Sequence, residues 1–64
     1  MILKGFISSK DENNNTAEVI LPEYDNVVTA PLKLYNRSAK SLNIGDFVIV
    51  ALFDENDLCD GVIL

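Results

Sequence analysis

The groups in this chain that could do chemistry are nearly all carboxylates. Ten Asp and Glu residues stand against five Lys and Arg, with one cysteine and no histidine in 64 residues. Without histidine, neither a Ser-His-Asp nor a Cys-His nucleophile can be assembled. The acids gather in runs such as Asp11-Glu12 and Asp54-Glu55, with Asp57 close behind, and these stretches read as turns. A catalytic carboxylate needs a cleft that perturbs its proton affinity, whereas a very small barrel fills its interior with side chains. The sequence therefore predicts no catalytic residue and no enzyme.

Metal chemistry fares no better. Cys59 has no second soft ligand with which to build a zinc site and no partner for an internal disulfide. Its neighbours Asp57 and Asp60 are anions rather than the cation that activates a thiol, so it reads as a small apolar residue. Residues 54–61 invite comparison with a calcium loop. Counting back from Gly61 puts Asn56, Leu58 and Asp60 at ligand positions, but Leu58 cannot ligate and no distal Glu follows. Turn chemistry accounts for Asn13, Asn14 and Asn15, and the three scattered glycines form no phosphate loop. No metal and no cofactor is predicted.

Aromatic residues raise the question of nucleic acid. Phe6, Tyr24, Tyr35, Phe47 and Phe53 could stack bases, but single-strand binding also needs a basic groove beneath the rings. Net charge is −5, and Lys4, Lys10, Lys33, Arg37 and Lys40 are scattered among acids. Phosphate neutralisation by Lys and Arg supplies most of such affinity. The expectation is no nucleic-acid partner, with Phe47 and Phe53 in the core. A single-stranded nucleic-acid-binding barrel and a regulatory protein-binding adaptor are the alternative functions.

The elements that would position these residues are strands. An apolar share of 48% with 23% charged residues excludes disorder. A chain this short buries only about 60% of its unfolded surface, so a partner often helps to stabilise it. Residues 2–9 mix β-branched, aromatic and small polar types, with Gly5 marking a bulge, bend or close approach. Residues 10–15 form a hairpin loop. Thr16–Leu21 is a second strand with Ala17, Val19 and Leu21 on one face, ended by Pro22. Residues 22–26 turn into a third strand over 26–30. Residues 32–44 hold either a helical turn over 38–42 capped by Asn36, or a short strand over 32–35 followed by a loop. Gly45-Asp46 punctuates the chain before seven consecutive apolar residues, 47–53, too short for a typical helix and rich in strand formers. After an acidic turn over 54–57, a last strand runs over 58–64, broken by a bulge at Gly61.

Five short strands with polar turns and no long helix predict one all-β domain over 1–64. It is a five-stranded antiparallel barrel, OB-like or alternatively SH3-like. No apolar run is long enough to span a bilayer as a helix. The opening Met-Ile-Leu-Lys-Gly-Phe-Ile lacks a charged leader, so the expectation is a cytoplasmic protein with no membrane partner.

A family resemblance sharpens this. Leu3-Lys4-Gly5-Phe6-Ile7-Ser8-Ser9, a polar hairpin, and Ala17-Glu18-Val19-Ile20-Leu21-Pro22 open the chain. Ile44-Gly45-Asp46-Phe47-Val48-Ile49-Val50 and Asp60-Gly61-Val62-Ile63-Leu64 close it. In order and spacing this resembles the small OB-like barrel domains at the baseplate hub and spike of contractile phage tails and phage-like particles. The expectation is a module without the downstream β-helix and metal-binding tip of a full spike. The resemblance implies a free-standing structural module, incorporated into a phage-like particle or encoded by a prophage, that works through protein partners or as a homo-oligomer such as a trimer.

The candidate interface lies on the apolar strand. Phe47, Ile49, Ala51 and Phe53 point one way, and Val48, Val50 and Leu52 the other. A barrel has one inside, so one set faces outward unless residues 32–44 form a lid over it. Phe47, Ile49, Phe53 and Ile63 are the interface candidates, and Gly5, Gly45, Asp46 and Gly61 the turn and bulge positions.

Overall fold

Alternation between core and solvent builds the strands. The computed structural model describes residues 1–54 and 56–64. It contains β1 (Ile2–Asp11), β2 (Thr16–Leu21), β3 (Val27–Val28), β4 (Leu32–Leu34), β5 (Phe47–Leu52) and β6 (Gly61–Ile63), with single 3₁₀ turns at Pro22–Tyr24 and Ala39–Ser41. Leu3, Ile7, Val19, Leu21, Leu32, Leu34, Val48, Val50, Leu52 and Ile63 point inward and form one core with Ala17, Ala39 and Leu42. No helix of the described residues is long and apolar enough to cross a membrane.

Five strands close into a barrel. Their order is β1-β5-β6-β4-β2, and β2 returns to pair with β1. Two-residue β3 lies beside the end of β2, through Ile20 with Val28 and Leu21 with Val27. The barrel is mixed rather than wholly antiparallel, because β4 and β6 pair in parallel. A parallel pair requires a crossover, and the long connection between β4 and β5 supplies it. That connection carries the second 3₁₀ turn and drops Ala39 and Leu42 into the end of the barrel.

Both arrangements weighed for residues 32–44 occur together: a strand at Leu32–Leu34 and a helical turn after it. The cap of the turn is Ser38, whose Oγ accepts from the Lys40 amide at 3.3 Å. Asn36 instead sits in the left-handed region at φ 61°, two residues before the cap. The strand expected over 26–30 shrinks to Val27–Val28, and that over 58–64 shrinks to Gly61–Ile63. Glu55 of the expected acidic turn lies outside the described residues. Among the rest, Asp54 Oδ1 accepts from the Asn56 amide at 2.9 Å, and Asp57 Oδ1 from the Cys59 amide at 2.9 Å.

The bulge falls where sequence did not place it. Register shifts between Ile7 and Ser9 of β1, away from Gly5 and Gly61. Both glycines are in regular register, Gly5 opposite Val48 and Gly61 opposite Leu52. They are required by close approach. A Cβ on Gly61 would lie 2.5 Å from the Ala51 carbonyl oxygen, and one on Gly5 would meet the Val19 side chain and lie 2.7 Å from the Ile20 carbonyl oxygen. Gly45 differs, at φ +92° with open space around it. It turns the chain so that Asp46 Oδ2 accepts from the Asn43 amide at 2.9 Å. Gly45 N and Asp46 O then bond Ile7 at 2.8 and 2.9 Å and extend the β1–β5 ladder.

Candidate interaction surface

β5 decides the outer face. Val48, Val50 and Leu52 fill the core, so Phe47, Ile49 and Ala51 face away from it. Phe47 is opposite Phe6 of β1, Phe6 is opposite Ile20 of β2, and Ile20 is opposite Val28 of β3. Register thus lines up Phe47, Phe6, Ile20 and Val28 as one outward row across four strands. Phe47 is 53% exposed, Phe6 41% and Val28 45%, with Ile20 half-buried between them. The two phenylalanine rings meet edge to face, centroids 6.0 Å apart at 65°, a geometry favoured by the ring quadrupoles. Beside the pair opens a cleft of about 280 Å³ lined by Lys4, Phe6, Pro22, Glu23 and Phe47.

Of the interface residues predicted from sequence, the structure brings Phe47 and Ile49 to this face. Phe53 is 70% exposed but lies past the other end of β5, roughly 20 Å from Phe47 at ordinary strand rise. The expectation that Phe47 and Phe53 fill the core is corrected by their exposure. Ile63 is corrected in the opposite sense. It is fully buried between β4 and β5 and presents nothing to a partner. Phe6, Ile20 and Val28 were missed as surface residues. The signal for two of them was present, since Lys4 and Glu18 stand two residues away on the same strand faces and mark those faces as outward.

The electrostatics of the face are sparse. Lys4 and Glu23 line the same cleft, yet the single ion pair among the described residues joins Lys10 to Glu12 at 3.3 Å. Lys10 is also held by the carbonyls of Ala39 and Leu42, and Arg37 Nη1 donates to the Leu64 carbonyl at 3.2 Å. No group of three or more metal-ligating side chains converges among the described residues. Asp11 holds its carboxyl below the usual Asp value, chiefly because the Asn14 side chain donates to it at 2.7 Å, with the Asn14 and Asn13 amides adding to the effect. That carboxylate closes the hairpin turn.

Comparison with protein-family models, curated proteins and solved structures finds no match to this chain.

Proposed function

We propose that this chain is a non-enzymatic assembly module that acts through protein–protein contacts on the face carrying Phe47 and Phe6. The carrying observation is the outward apolar row. Four register-matched positions on four strands are all apolar, and a contiguous patch of this kind usually marks an interface. The barrel order, with its one parallel contact between β4 and β6, supports an OB-type rather than a meandering SH3-type reading. With the opening and closing segments that resemble baseplate barrels, it makes a phage-like tail or baseplate the proposed setting.

Co-expression with the products of the genes on either side tests this reading. The expected result is a stoichiometric complex with a neighbouring product, weakened by Phe47→Ser while the fold is retained. Failure of every neighbour to bind overturns the setting. Exposed Phe6 and Phe47 also favour a second reading, the stacking of single-stranded bases. Against it, Lys4 is the one cation lining the cleft beside the rings. Micromolar binding of a labelled oligonucleotide at physiological salt would replace the first reading by the second.

A further inference from the structure

We infer that the partner of this face is a second copy of the chain, docked about a two-fold axis that runs along the strands between Phe6 and Ile20. The inference rests on the assembly reading above and names its partner. An isologous interface must be self-complementary, with residue i meeting j while j meets i. The face meets that condition in shape order and in charge. Such an axis exchanges the two ends of the row, so Phe47 of one copy packs on the partner's Val28, and Phe6 on the partner's Ile20. The same operation sets Lys4 opposite the partner's Glu23. Both are exposed, they line one cleft, and they make no ion pair with each other within the chain. In the dimer each cation gains an anion, twice over.

Charge agrees with a specific pair. At net −5 two copies repel unless opposite charges are brought together at the contact. A standard interface takes about 800 Å² from each partner, a fifth of the 3909 Å² this chain exposes.

Sedimentation equilibrium on the full chain, from micromolar to millimolar concentration, tests the pair. The wild type is expected to reach a dimer, and Phe47→Ser to weaken it by about ten-fold or more. Charge variants make the test specific to two-fold pairing. K4E alone and E23K alone each place like charges across the axis and stay monomeric. Mixed together they form a hybrid dimer, because each unlike pair is then restored, although both variants remain net acidic. Circular dichroism confirms that the exposed substitutions leave the barrel folded. A wild type that stays monomeric throughout overturns the dimer, while the assembly reading still answers to the co-expression test. A wild-type dimer indifferent to Phe47→Ser, or a K4E and E23K mixture that stays monomeric, overturns this face as the contact.

Discussion

The Lys10 ammonium lies 2.6 Å from the Leu42 carbonyl oxygen and also reaches the Ala39 carbonyl at 3.1 Å. The Leu42 carbonyl lies at the end of the 3₁₀ turn, where the last carbonyls run out of backbone donors and are well matched by a cation; the Ala39 carbonyl also accepts from the Leu42 amide at 3.3 Å. Asn15 grips the same segment. Its Nδ2 donates to the Arg37 carbonyl at 3.2 Å, and its Oδ1 accepts from the Ala39 amide at 2.8 Å. Two side chains of the first hairpin therefore hold in place the crossover that plugs the barrel.

Lys10→Met keeps the apolar stem and removes the donor. The expected loss is about 1–3 kcal/mol, since hydrogen bonds from charged donors contribute about that much and the Leu42 carbonyl loses the Lys10 donor. Glu12→Gln removes only the exposed ion pair and should cost below about 1 kcal/mol. Urea denaturation of both variants decides the matter. Equal losses would mean that the ion pair, not the carbonyl contacts, carries the effect of Lys10.

Strand positions were legible because polar residues fix the phase of β1 and β2. Lys4 and Glu18 mark the outside, so Leu3, Ile7, Val19 and Leu21 can be assigned inward. In 47–53 no polar residue sets the phase, and ring size misled. The aliphatic set Val48, Val50 and Leu52 packs the narrow interior, leaving both phenylalanines outside. Ile63 illustrates the larger gap. Its burial depends on β6 lying parallel to β4, a neighbour supplied by the crossover and invisible to local pattern. The row of Phe47, Phe6, Ile20 and Val28 is hidden for the same reason, because it exists only once three strand registers are known.

Asp11 offers a titration test. Its folded-state carboxyl lies below the ordinary Asp value, first because the Asn14 side chain donates to it. A depressed folded value means that this contact stabilises the fold above the unfolded value and that the contribution is lost as pH falls through the folded one. Asn14→Ala should therefore move the Asp11 midpoint upward, as followed by carboxyl NMR. A midpoint that stays put would assign the depression to the backbone amides instead.

The glycines should separate by cause. Gly61→Ala forces a Cβ to within 2.5 Å of the Ala51 carbonyl oxygen, so the β5–β6 ladder must shift. Gly45→Ala meets no atom but must hold φ near +92°, which costs about 1 kcal/mol. Gly45→Asn should recover part of that loss, because Asn tolerates positive φ, whereas Gly61→Asn should be worse than Gly61→Ala. Thermal melts of the four variants test the ordering. Recovery by Asn at both sites would show that backbone conformation rather than space governs Gly61.

Thr29 continues the β2 edge with its side chain. The Thr29 amide donates to the Val19 carbonyl at 2.9 Å, and Thr29 Oγ1 accepts from the Val19 amide at 3.1 Å. Both residues are buried, so the Val19 N–H has no access to water as a substitute partner. Thr29→Val keeps the volume and removes the acceptor, leaving a buried donor unsatisfied at a cost of about 1–3 kcal/mol. Thr29→Ser keeps the acceptor and loses one methyl group, about 0.8 kcal/mol. Serine should therefore be the milder change although it is the smaller residue, an order opposite to the one packing alone would give. Amide exchange at Val19 provides the local readout, expected to quicken in the valine variant more than in the serine one. If Thr29→Val matches the wild type in both stability and exchange, the Val19 amide finds another acceptor and the hydroxyl is not what joins this segment to β2.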